Sequence, residues 1–494
     1  MLRQLAALLL AASASAAAEQ VVLSSEHEND PSGAGVLRRF TVPHGLADIF
    51  LAHAQESDWD VWHATSTSVD VYFPSSAPSL EHYASLFSNF TDTPIPSSAY
   101  ASSSSTRKTA DEPWDLSSLT NASFHGSYRT LDEIYSFMHD LSVAHPETVR
   151  IVGIGHSAQG REMYALEISS GPSIPPQDPD TVSGEGGYRK RKHGGDENGK
   201  IGFALTGAQH AREWVATATA VYLAHALVAD QSEAYSLNAL LDEFNFYIVP
   251  VPNPDGYLYT WETDRFWYKN RQTLAHGALC TGVDMNRNWG YKWKANPTSY
   301  GPNFSSDEYD DDYEDVEISR QKKGGKKGKK GKKPKSPPAD PCSHWYPGAR
   351  AFQAPEVSSL ATYLEVQPNL RAYLDLRSYG QMLSTPFSFS CSKTPRDAED
   401  LLEAAHGAAF AVRGTHGAAF TTGSLCETLY KAGGNVVDWM YKALGVRWSF
   451  AVHLRDTGTY GFMLPPEWIR VVGEETSGMV SYLAKFVAGK EAGK

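Results

Sequence analysis

The sequence predicts an α/β domain, a sheet with helices on both faces, behind a smaller α+β segment. Three observations predict it. Between residues 120 and 489, the apolar strand-like runs "IGFALTG", "NFYIVPVPNPDG", "RAYLDLRSYG" and "RWSFAVHLRD" alternate with stretches of helical spacing. One such stretch, "TLDEIYSFMHDLSVAHP", pairs Thr130 with Glu133 as a capping box and sets Leu131, Ile134, Tyr135, Met138 and Leu141 at helical spacing. Upstream, "RRFTV", "DVWHA" and "SVDVYF" read as short strands, with "HGLADIFLAHAQE" as a helix between the first two.

In chain order, "MLRQLAALLLAASASAAAEQ" comes first. Arg3, the apolar run Leu5 to Ala12 and the small residues after it give a signal peptide over 1–18. The expectation is a secreted chain, extracellular or vacuolar. No other run approaches the ~18 apolar residues of a membrane span. The α+β segment, 19–108, closes in the serine-rich "SSAYASSSSTRK", where Arg107-Lys108 is a candidate processing site. Lys190-Arg191 is a second dibasic pair.

Two insertions interrupt the large domain, near 172–199 and 305–340. The second joins "DEYDDDYEDVE" to "RQKKGGKKGKKGKKPKSPP". Such composition cannot build a core, so both read as disordered, solvated loops. Adhesion of the lysine block to a polyanionic cell-wall component is the functional alternative. The formal net charge of −13 argues against a general nucleic-acid binder. Cys280, Cys342, Cys391 and Cys426 suit an oxidising compartment and two disulfides, with three pairings open. Asn89, Asn121 and Asn303 head glycan-acceptor triplets.

Ligands gather where strands end in open α/β sheets. Polar groups stand at four strand ends: His210 and Glu213, Asn253 and Asp255, Arg377, and His453. "CTGVDMNRNWG" adds Asp284, Asn286 and Arg287, and arginine beside asparagine suits a carboxylate.

"GAQHAREW", "FWYKNRQ", "CTGVDMNRNWG", "DLRSYGQ", "LYKAGGNVVDW" and "HLRDTGTYGFMLPPEWI" together resemble the zinc carboxypeptidases of the pancreatic A/B type, over roughly Phe124 to Phe486. The nearest resemblance is to fungal inactive metallocarboxypeptidase-like proteins linked to cell-wall organisation. The resemblance implies a mixed, mostly parallel twisted sheet and makes the first segment a prodomain. It implies His210 and Glu213 as zinc ligands and Asp284 as the carboxylate orienting His210. It places Arg271 at the scissile carbonyl and Asn286, Arg287 and Tyr430 on a peptide's C-terminal carboxylate. Ser378 and Tyr379 line the cleft, and Val437 floors the side-chain pocket. It pairs Cys280 with Cys342, leaving Cys391 for Cys426.

Two departures fall on the chemistry. Arg377 stands where the family has its third zinc ligand, a histidine, and His453 stands at its catalytic glutamate. A guanidinium has no lone pair to give. Its charge ~4 Å from a divalent ion costs about 8 kcal/mol at an effective dielectric of 20. Two arrangements follow. Arg377 pairs with Glu213 in the metal's place, or His453 turns inward and restores a two-His, one-Glu set. A metal-free or weak zinc site is expected. The expected function is a pseudoenzyme that keeps a pocket for peptide or protein C-termini. The alternatives are a slow zinc carboxypeptidase with a rearranged ligand set and a scaffold acting through the charged loop.

Overall fold

A computed structural model describes residues 35–43, 45–57, 59–74, 89–95, 113–171, 199–274, 280–295 and 339–493. The signal peptide, both dibasic pairs, Asn303 and the acidic and lysine blocks lie outside the described residues.

The N-terminal unit is a four-stranded antiparallel sheet, β1 (Val36–Thr41), β2 (Asp60–Ala64), β3 (Ser68–Phe73) and β4 (Phe90–Pro94), in the order β2-β3-β1-β4. Helix α1 (Ala47–Glu56) connects β1 to β2, as the sequence pattern predicts. Strand β4 was not foreseen. Its sequence, "FTDTP", has little apolar alternation, and all five residues lie along an exposed or half-exposed edge with a terminal proline.

The large domain holds one eight-stranded sheet. Its strands are β5 (Val149–His156), β6 (Glu162–Ile168), β7 (Ile201–Thr206), β8 (Phe244–Val249), β9 (Leu370–Arg377), β10 (Met382–Thr385), β11 (Thr421–Ser424) and β12 (Trp448–His453), in the order β11-β10-β12-β9-β7-β8-β6-β5. The central neighbours β12, β9, β7 and β8 run parallel. On one edge β6 and β5 run antiparallel. On the other, β10 opposes β12 and β11 lies parallel to β10. The mixed, mostly parallel sheet is therefore present.

Side-chain alternation along the strands feeds two cores. Phe203, Leu205, Leu374, Leu376, Phe450 and Val452 point to the face covered by α2 (Leu131–Ala144), α3 (Trp214–Ala226) and two later helices, 398–416 and 468–492. Ala204, Tyr247, Val249, Tyr373 and Ala451 point to the opposite face, under helix 355–365. The Thr130–Glu133 capping box starts α2 as predicted. Disulfides join Cys280 to Cys342 and Cys391 to Cys426. Asn89 and Asn121 are exposed.

Within the first core His125 Nε2 lies 3.0 Å from His225 Nδ1. His225 Nε2 donates to the Leu116 carbonyl at 3.2 Å. Burial holds both imidazoles below their usual pKa, His125 most strongly, with the His225, Arg470 and Arg129 charges adding to it. The unfolded chain binds these protons near pH 6.5 and the folded one does not. The stability this pair contributes is complete above pH 6.5 and falls below it, by up to about 1.4 kcal/mol per histidine per pH unit. Denaturant unfolding at pH 7.5 and 5.5 should show that loss, and His125→Phe should make the slope shallower.

Candidate functional site

Strands β7, β9 and β12 run parallel and end on one side, which brings the expected residues together. His453 pairs in register with Arg377, and Asp375 with Thr206. The turn after β7 carries His210 and Glu213, both buried. His210 Nδ1 lies 2.9 Å from Glu213 Oε1, and Nε2 lies 3.1 Å from Asp284 Oδ1. The Tyr268 ring stacks on the imidazole at 3.9 Å between centroids. Burial disfavours the charged ring, but Glu213 and Asp284 on either side outweigh it and raise its pKa above 6.5. For Asp284, burial is outweighed by His210 and Arg287, which hold the carboxyl below its usual range.

Arg377 does not pair with Glu213. Its Nε donates to Asp375 Oδ2 at 2.5 Å, and Nη2 lies equally close to that oxygen without hydrogen-bond geometry. Two residues apart on one strand, both side chains leave the same face, which puts the carboxylate within easy reach. Asp375 Oδ1 accepts from Thr206 Oγ1 at 3.1 Å and Gln209 Nε2 at 3.0 Å. Burial opposes the Arg377 charge, but Asp375 and then Glu213 raise its pKa. Glu213 Oε2 instead accepts from the Ser378 amide at 3.3 Å.

His453 is buried, and its Nδ1 meets no partner. Burial, then the charges of Arg377, His63 and His210, push its pKa well below 6.5. It does not complete a two-His, one-Glu set. Among the described residues no group of three or more His, Cys, Asp or Glu has the arrangement to hold a metal. The first two expected ligands bond to each other, and a guanidinium fills the third position, so the residues present do not fit zinc.

Arg287, Asn286 and Tyr430, the residues expected to hold a carboxylate, sit beside this cluster. Arg287 Nε donates to Asp284 Oδ2 at 3.1 Å and Nη2 to the Tyr430 hydroxyl at 3.2 Å. The Trp345 ring lies 5.1 Å from the guanidinium. Asn286 Oδ1 accepts from the Val436 amide at 3.0 Å. Gly434 allows this closeness: at φ +74°, a Cβ there would stand 2.3 Å from the Arg287 carbonyl oxygen. Val437 is fully buried one residue beyond. Arg271 is placed elsewhere than expected. Its guanidinium stacks over Tyr259 at 3.7 Å and Trp267 at 4.4 Å.

The N-terminal unit closes the mouth. Arg212 Nη1 donates to both Asp60 oxygens at 2.8 and 3.0 Å. The Tyr379 hydroxyl donates to Asp70 Oδ2 at 2.8 Å, and Arg39 grips both Asp70 oxygens. His63 stacks on Tyr379 at 5.3 Å, and burial lowers its pKa to about 4. Trp62 packs on Phe266 and Phe462, each 4.9 Å between ring centroids.

The sequence profile described as zinc carboxypeptidase matches residues 134–323 and 328–478. The chain belongs to the zinc carboxypeptidase family. It is 32% identical over 464 residues to a protein named "Inactive metallocarboxypeptidase ECM14" from Ajellomyces dermatitidis, covering 87% of this chain and 68% of that one. A protein of the same name from Paracoccidioides lutzii is 30% identical, covering 93% and 73%. The crystal structure of thrombin activatable fibrinolysis inhibitor matches with a TM-score of 0.69 at 26% identity, covering 92% of this chain and 99% of that one.

Within this zinc carboxypeptidase fold, the strand-end reading found His210, Glu213, Arg377 and His453 but also took in two residues with other roles. Asn253 caps helix 254–262 by accepting from Gly256, and it donates to the Gln209 and Lys269 carbonyls. Asp255 binds Ser157, Gln159 and Arg161. Reading the sequence missed Asp375, although its i, i+2 spacing to Arg377 on a strand was a usable signal. It also missed Asp60, Asp70 and Arg212, which only the docking of the two units joins.

Asp375→Asn should destabilise the fold by about 3–5 kcal/mol, because it leaves a buried guanidinium without its anion. Asp375→Asn combined with Arg377→Met should cost clearly less than the sum of the single changes in denaturant unfolding. Additive losses would mean the pair does not act as a unit.

Proposed function

We propose that this chain is a secreted pseudoenzyme of the zinc carboxypeptidase family, one that holds the C-terminal carboxylate of a peptide or protein without cleaving it. The Asp375–Arg377 ion pair carries the reading, since it commits the residue at the third-ligand position to a permanent cation that has no lone pair to give. His453 at the glutamate position removes the anionic base that the family uses. Neutral and flanked by Arg377 and His210, it is poorly suited to replace that base. The relatives named inactive metallocarboxypeptidase support the same conclusion.

The grip survives because Arg287, Asn286 and Tyr430 remain side by side, with the Arg287 fork aimed at Tyr430. A carboxylate entering there would take charge-assisted bonds from the guanidinium and accept from the Tyr430 hydroxyl, which Arg287 now holds. Tyr430 also packs against the N-terminal unit's core, so the tail enters only when that unit moves aside. A part in cell-wall organisation, by holding the tails of wall proteins, belongs to this proposal. A slow zinc carboxypeptidase is the second reading, favoured by the unpartnered His453 Nδ1.

Two measurements test the proposal. Zinc per molecule of metal-repleted protein, read by metal mass spectrometry, should be near zero. A value near one, with release of C-terminal amino acids that a chelator stops, would establish the second reading instead. Separately, tail-peptide affinity of protein freed of residues 19–108 should fall at least about tenfold, ~1.4 kcal/mol, in Arg287→Ala and also in Tyr430→Phe. Peptides with an amidated C-terminus should not bind. Equal binding of amidated and free tails would sink the carboxylate grip.

A further inference from the structure

We infer that a basic groove outside the cleft is a docking site for an acidic peptide segment of a partner protein. The groove has a volume of about 760 Å³, within the range of ligand sites. It lies between the segment after β10, the start of helix 398–416, the turn at 440–447 and the Tyr291–Lys292 loop. The Cys391–Cys426 disulfide pins its rim two residues from Lys393.

Charge sets this groove apart. The chain carries a formal −13, yet Lys292, Lys393, Arg396, Lys442 and Arg447 line the groove against a single acid among the described residues, Asp397. That acid is engaged: Tyr441 donates to it at 2.8 Å and Arg447 bridges it at 3.0 Å. Arg447 is further paired with Asp400 and Glu491 beside the groove, which leaves the lysines and Arg396 as its recognition charges. Beside the groove, burial and the neighbouring Lys431 and Lys292 push the Lys294 ammonium down to about pKa 7. Cations thus outnumber acids along the described lining of the groove.

The remaining lining selects the class of anion. Tyr291 and Phe389 meet edge to face at 5.6 Å and are half-buried, which leaves apolar surface between the cations. The Lys292 ammonium lies 5.6 Å over the Phe389 ring. A saccharide would need acceptors for its hydroxyls, and among the described residues no Asn, Gln or Glu lines the groove, while Asp397 is already engaged. A stretch of carboxylates broken by aromatic or aliphatic side chains matches both the cations and the apolar floor. The groove shares no lining residue with the carboxylate grip, so this inference stands apart from the tail reading.

The test uses the full chain and a short labelled peptide rich in Asp, Glu and Tyr, read by fluorescence anisotropy. Binding should weaken as salt rises. Arg396→Glu with Lys442→Glu, both exposed, should weaken it at least about tenfold while leaving the thermal midpoint unchanged. Tyr291→Ser should weaken it further without changing the salt slope. Unchanged affinity in the charge-reversed variant would overturn the inference. Equal binding of a sulfated oligosaccharide or an oligonucleotide would also overturn it, because the site would then read charge alone. Binding that appears only after residues 307–317 are deleted would give the groove to the chain's own acidic block and refute a partner.

Discussion

The Asp375–Arg377 pair at the end of β9 is the interaction on which the rest of the site depends. A permanent cation with almost no exposure is tolerable only if an anion and further hydrogen bonds compensate its lost hydration. Asp375 supplies the anion, and its second oxygen is itself held by Thr206 and Gln209. From Gln209 the bonds continue. Its amide oxygen accepts from Trp289 Nε1 at 3.0 Å, and its carbonyl accepts from Asn253. Trp289 follows the 284–288 segment that carries Asn286 and Arg287, the residues proposed to hold a carboxylate. One charged pair in the centre of the sheet is thus tied to the turns after β7 and β8 and to the recognition segment.

The pair also changes what its neighbours can be. Burial, and then the fixed positive charge of Arg377, keeps His453 neutral, while at His210 burial is outweighed by the two carboxylates beside it, which favour its proton. A divalent ion would have balanced the charge of Glu213 and Asp284. Here the Arg287 guanidinium lies against Asp284, and Asp284 is shared between it and His210. The N-terminal unit completes the arrangement from above. Tyr379 is locked to Asp70 and Arg212 to Asp60, so cleft groups that would otherwise face water are bonded to the docked unit.

The large-domain strands that alternate or run apolar, β7, β8, β9 and β12, could be read from the sequence because their pattern reports burial directly. So could α2, whose capping box is a local signal. Strands β10 and β11 were invisible: four residues each, they offer too little pattern, and pairing of β10 with β12 and of β11 with β10, rather than propensity, makes them strands. At the site, the residue types and their places at strand ends were legible. The partner choices were not. Arg377 had two acids available, and its preference for Asp375 over Glu213 is a matter of strand geometry and of where Glu213 is drawn by His210 and the Ser378 amide.

Losing the chemistry here does not entail losing recognition, and the bonding pattern shows why. Residues 284–288 are fixed by the Asp284 cap on Asn286, by Asn288 bonds to the Pro347 and Arg350 carbonyls, and by the close approach of Gly434. The turn carrying Val437 is fixed by Asn435 and Asn286. None of these bonds involves position 377 or 453. Replacing a zinc ligand and a general base therefore leaves the frame of the carboxylate grip in place. On the proposed reading, what it changes is the consequence of binding, since a held tail would no longer meet an activated water. The N-terminal unit's core packs directly on Tyr430. Displacement of that unit, and not bond cleavage, would then be the step that decides whether a tail is bound.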